Sequence, residues 1–155
     1  MNIEAKTCCV TGHRDISIDK LEYVAQELRR EIDEALRDGY RTFITGFAQG
    51  TDMLFARLVD ARRGDYPDIF LEAALPYAGR TKQLTWDERE RLSKCNGIKI
   101  ISEKYHPGCF FQRNRYLVHS SSRVIAVYDG REKGGTWQTI RFARVNEKDL
   151  RIIEI

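Results

Sequence analysis

The chain has no run of about 18 apolar residues, so no transmembrane helix is expected. Its opening, Met1-Asn2-Ile3-Glu4-Ala5-Lys6, lacks a basic segment leading into an apolar stretch and a small-residue cleavage site, so no secretion signal is expected. Cysteines are few: Cys8, Cys9, Cys95 and Cys109, with no C-x-x-C pair. Metal-ligand spacing is therefore missing, and reduced thiols in a cytoplasmic protein are the expectation. No repeat, low-complexity tract or linker interrupts the chain, and no motif calls for a resident metal or cofactor. Charge of one sign is also scarce, at a net of +3. That composition makes no case for nucleic acid.

What is present fits one soluble α/β domain over residues 1–155. Apolar residues make up 42% and charged residues 32%. A chain of this length buries roughly 70% of its unfolded surface. The basic side is mostly arginine, 18 Arg against 8 Lys, but acids accompany it, as in Glu27-Leu28-Arg29-Arg30-Glu31. Such runs read first as solvated helix faces.

Strand-like and helix-like segments alternate from end to end. Strands are expected at Thr7–Thr11, Arg41–Thr45, Ile69–Leu75 (closed by Pro76), Ile98–Ser102, Arg123–Tyr128 and Leu150–Ile155. Helices are expected at Ile18–Asp38, with Leu21, Val24, Leu28, Ile32 and Ala35 on one face, and at Thr51–Arg63. Three more are expected at Arg80–Cys95, Phe111–Ser121 and Gly135–Val145, with Glu103–Cys109 as an irregular loop. The alternation predicts right-handed crossovers and a three-layer α/β/α, Rossmann-like domain with a mostly parallel sheet. Ligands of such sheets lie beyond the carboxyl ends of the strands.

Three short glycine-bearing loops follow strands and should gather on that edge. In Thr11-Gly12-His13-Arg14, Gly12 permits a tight turn while His13 and Arg14 reach outward. In Gly46-Phe47-Ala48-Gln49-Gly50-Thr51-Asp52, the small residues Gly46, Ala48 and Gly50 clear space for backbone approach. Thr51 either caps the next helix or donates to phosphate. Asp52 either suits the helix dipole or accepts from a ribose hydroxyl. Gly134-Gly135-Thr136 offers backbone donors and a hydroxyl at a helix start, as a phosphate cradle does. No G-x-G-x-x-G fingerprint and no P-loop lysine accompanies them. A fourth segment, Phe110-Phe111-Gln112-Arg113-Asn114-Arg115, either adds charge-assisted donors or packs its aromatics with solvated arginines. Trp86 and Tyr77 either are core aromatics or stack on a base.

Together with Leu75-Pro76-Tyr77 and Trp86, these segments resemble the SLOG superfamily, and within it the YpsA-like proteins, over nearly the whole chain. The resemblance implies a domain that binds a nucleotide-derived small molecule of the ADP-ribose, NAD-derivative or nucleoside monophosphate class. The implied contacts are Gly12, His13 and Arg14; Gly46, Ala48, Gly50, Thr51 and Asp52; Arg113 and Asn114; and Gly134, Gly135 and Thr136. LOG-type phosphoribohydrolases of that superfamily carry Pro-Gly-Gly-x-Gly-Thr-x-x-Glu. Here the proline is missing from Lys133-Gly134-Gly135-Thr136-Trp137-Gln138-Thr139, and Thr139 stands where the catalytic Glu would be. The enzyme alternative would have to draw on Glu72, Asp52 or Asp129. A DprA-like single-stranded DNA module is the further alternative, and a homo-oligomer is compatible with either.

Overall fold

The computed structural model describes residues 6–155. Six strands run β1 (Thr7–Gly12), β2 (Thr42–Thr45), β3 (Phe70–Tyr77), β4 (Gly97–Ser102), β5 (Arg123–Tyr128) and β6 (Asp149–Glu154). Five helices alternate with them: α1 (Leu21–Arg37), α2 (Thr51–Asp60), α3 (Trp86–Ser93), α4 (Cys109–His119) and α5 (Gly134–Val145). All strand pairs are parallel, in the order β4-β3-β2-β1-β5-β6. The chain steps outward from β1 to β4, then returns to lay β5 on the other flank of β1. Right-handed crossovers put α1–α3 on one face and α4 and α5 on the other. The architecture is the Rossmann-like one expected.

Both faces of the sheet are covered, which is why its central strands read as continuous apolar runs. Cys8 and Val10 turn towards α1 and α2, meeting Leu28, Ile32 and Phe55. Cys9, between them, turns the other way onto Leu117, Val118 and Ala143. Cys8, Cys9 and Cys109 are buried and Cys95 half-buried, all as free thiols. Helix α1 buries Val24, Leu28, Ile32 and Ala35 as its spacing predicts, but Leu21 is 41% exposed. Its end is closed by a Schellman motif: the amides of Gly39 and Tyr40 donate to Leu36 and Ala35, with Gly39 at φ +94°. No helix among the described residues is long and apolar enough to cross a membrane.

Three expectations change. Strand β3 does not stop at Pro76 but runs through it to Tyr77. Pairing with β2 has already ended at Thr45–Ala73, so the missing N–H of Pro76 leaves no ladder bond unmade on that side. The segment expected as one helix, Arg80–Cys95, is instead a 3-10 stretch over Ala78–Gln83 followed by α3. Thr85 breaks it. Its hydroxyl accepts from the Glu88 amide and its own amide donates to the Glu88 carboxylate, a capping box that starts a new helix. Helix α4 also begins two residues earlier than expected, at Cys109.

Candidate functional site

The sheet order reverses between β1 and β5, and an open cleft of about 390 Å³ lies at their carboxyl ends. Gly12, His13 and Arg14 line it from the loop after β1, and Gly134, Gly135 and Thr136 from the start of α5. Arg113 and Asn114 of α4 form a third side, and Ala48 and Asp52 a fourth. Gly46, Gly50 and Thr51 do not line it. They lie behind, where one loop is fastened to another.

Thr51 is fully buried, and both its hydroxyl (3.0 Å) and its amide (3.2 Å) donate to the His13 carbonyl. It caps no helix, since the N-cap of α2 is Gly50. Gly50 has φ +77°, and a Cβ there would stand 2.5 Å from the Arg14 carbonyl oxygen. Only glycine lets the first loop cross the second so closely. A Cβ on Gly12 would run into the Thr51 side chain, and one on Gly46 would stand 2.8 Å from Asp52 Oδ2. These glycines admit neighbouring protein groups.

Asp52 and Arg113 form the buried electrostatic centre. Arg113 Nη1 donates to the Gly46 carbonyl at 2.6 Å and Nε to Asn114 Oδ1 at 2.9 Å. Asp52 Oδ2 accepts from the Ala48 amide at 3.2 Å. Burial pushes the Asp52 carboxyl up to about 6 even against the opposing pull of Arg113 and that amide. Burial also lowers the Arg113 guanidinium below its ordinary value.

His13 closes the β5 side. Its Nε2 accepts from the Asp129 amide at 3.1 Å, which places the neutral ring's proton on Nδ1. Burial holds its pKa below 6.5, although Asp129 Oδ1 also lies 3.1 Å from Nε2. Asp129 is pulled down to about 2, chiefly by hydrogen bonds from Arg131, whose Nε and Nη2 both reach Oδ2. Arg131 is thereby engaged.

Helix α5 opens onto the cleft uncapped. No side chain caps it, its first turn holds no acid, and Gly134 has φ +89°. Among the described residues its first three amides find no partner, so the positive end of the helix dipole is bare. Asn114 is turned to the same place: with Oδ1 taken by Arg113, its Nδ2 stands 3.5 Å from where a Gly135 Cβ would be.

Several cleft residues fell outside the sequence expectation. Lys133 and Arg131 flank the glycine pair, and Asp15 follows Arg14. Val10 and Leu117 supply the apolar floor. Phe110 is a platform on which Arg14 and Arg113 both rest, at 5.7 and 5.8 Å from the ring centre. The position of Lys133, directly before the glycines, was the visible signal. Arg115 points elsewhere, over Phe111 and Phe142. Glu72 does not line the cleft and accepts from Tyr116 Oη at 2.5 Å. Thr139 is buried, and its hydroxyl donates to the Gly135 carbonyl at 2.8 Å.

Known proteins are similar to this chain in sequence or in fold. UPF0398 proteins of Bacillus thuringiensis (strain Al Hakam) and Bacillus cereus (strain AH187) are 24% identical over 152 residues, covering 90% of this chain and 83% of theirs. DNA processing protein A from Helicobacter pylori, whose structure was reported for its single-stranded DNA binding mode, superposes with a TM-score of 0.68 at 20% identity. That match covers 96% of this chain and 65% of the other, so this chain spans just under two thirds of it. The solved TM1055 protein gives a TM-score of 0.57 at 17% identity, over 94% of this chain and 72% of its own. At these identities the two structures speak for the fold. The model of the YspA SLOG family matches residues 8–154, and the chain belongs to that family.

Proposed function

We propose that the cleft at the β1–β5 reversal binds the phosphate of a nucleotide or nucleotide-derived ligand, of the ADP-ribose, NAD-derivative or nucleoside monophosphate class. The observation that carries this reading is the bare start of α5, three unpartnered amides with the Asn114 amide group beside them. Unsatisfied helix N-terminal amides are a ready anion site. Arg14 and Lys133 line the same cleft and add positive charge, while Asp52, with its carboxyl raised to about 6, opposes an anion above that pH and ceases to do so below it. The family resemblance supports the same class of ligand.

The residues favour holding a ligand over cleaving it by the LOG-type route. Where that route needs a carboxylate, Thr139 is buried and bonded to its own helix. Of the acids the sequence offered for an alternative chemistry, Glu72, Asp52 and Asp129, Asp52 is the one that lines the cleft.

Calorimetry with AMP, ADP-ribose, NAD and cyclic nucleotides tests the proposal, and binding of at least one with loss on Arg14→Ala is the expected result. Silence across the panel overturns it. Chromatographic detection of free base from a nucleoside monophosphate would move the reading to an enzyme. Retention on a single-stranded oligonucleotide, falling steeply with salt, would move it to nucleic acid, the binding reported for the Helicobacter pylori neighbour.

A further inference from the structure

We propose that the ligand has two aromatic heads joined through phosphate, and that Trp86 stacks on the second. This rests on the phosphate reading of the cleft above. Trp86 is 73% exposed at the first position of α3 and, among the described residues, makes no ring contact. The chain's other tryptophan is occupied: Trp137 lies 5.9 Å from the Tyr128 ring at 10°, with the Arg141 guanidinium over it. A bare indole lining a groove is a platform for a planar heterocycle. A second groove of about 590 Å³ is there, lined by Trp86 with Leu21, Met53 and Leu54 and by charged side chains that include Arg57 and Asp87, the last a carboxylate of the kind that accepts from a ribose diol.

The two hollows are neighbours. The starts of α1, α2 and α3 all follow the carboxyl ends of strands, so the groove opens on the same side of the sheet as the cleft. One thickness of backbone divides them. Gly50 lines the groove, and it packs directly against the carbonyls of His13 and Arg14, which line the cleft. Ala48 and Asp52 face the cleft, and Met53 the groove. From the end of β5 to the end of β3 is three strand spacings, about 14 Å. A mononucleotide anchored at α5 is too short to span that, whereas a dinucleotide laid across the strand-order reversal is long enough.

Trp137→Phe leaves Trp86 as the only tryptophan and so as the fluorescent reporter. Titration with diadenosine diphosphate or NAD should quench it, and AMP should not. In the otherwise unaltered protein, Trp86→Ala should weaken the two-headed ligands about tenfold, leave AMP within about twofold, and be largely rescued by Trp86→Phe. If AMP binds but two-headed ligands gain nothing from Trp86, this inference falls and the phosphate reading stands. If no member of the panel binds, both fall.

Discussion

Gly135→Asp separates what the cleft does for the fold from what it does for a ligand, because the two effects have opposite signs. Gly135 is the second residue of α5 and has an ordinary negative φ, and an added Cβ would meet only Asn114 Nδ2, at 3.5 Å. The site therefore accepts a side chain. Replacing a helical glycine and placing an acid in the first turn both favour the helix, together by about 0.5–1 kcal/mol. In a protein of this size that raises the Tm by about 1–4 °C. The same carboxylate would stand about 5 Å from a phosphate held on the α5 amides. Gly135 is exposed, so an effective dielectric between about 20 and 40 applies, and the repulsion comes to about 2–3 kcal/mol, or roughly 30- to 150-fold in Kd. Thermal unfolding and calorimetry with ADP-ribose on the same preparations read both quantities. A variant that melts at or above the wild-type temperature yet binds within about threefold of it would refute phosphate placement on α5.

Three further outcomes follow from the buried charges. Asp52 keeps its proton up to about 6 in the fold, whereas the unfolded chain loses it near 4, so Asp52 makes stability decline as pH rises between those values. Asp52→Asn should remove a decline on the order of 2–3 kcal/mol, seen as a pH-dependent gap between urea unfolding curves. His13 has the opposite slope: with its folded pKa depressed, stability is complete above 6.5 and lost as pH falls below it, a loss that His13→Gln should remove from the same curves. Arg113→Met leaves the Gly46 carbonyl without its donor and Asp52 without the cation that lowers it. It should cost about 2–4 kcal/mol in urea unfolding and move the Asp52 midpoint upward in a carboxyl-resolved NMR titration.

The fold was legible because local signals agreed with the tertiary answer. Apolar runs such as Cys8-Cys9-Val10 are what a strand covered on both faces must look like. The break at Thr85 was also written locally, in a Thr and a Glu three apart, but the polar periodicity from Arg80 onward masked it. The site was legible by segment and not by residue. Thr51 has a hydroxyl at a helix start, and nothing in its neighbours reveals that the His13 carbonyl, 38 residues away, takes that hydroxyl. Gly50 and Gly46 likewise owe their small size to backbone and side chains brought in from elsewhere. A glycine required by a loop crossing and a glycine required by a ligand look alike in one dimension.

His13 is held at both ends, its carbonyl by Thr51 of α2 and its ring by the amide that follows β5. It thus ties together the two halves of the sheet that part at the reversal. That double tie fixes the spacing of the β1 and β5 loops across the cleft. Association at such a gap is governed by encounter rather than by rearrangement, so its rate should follow ionic strength through the arginines and show no saturation at high ligand concentration. Cutting the tie would surface first in that kinetic signature, as a slower, saturating approach to binding.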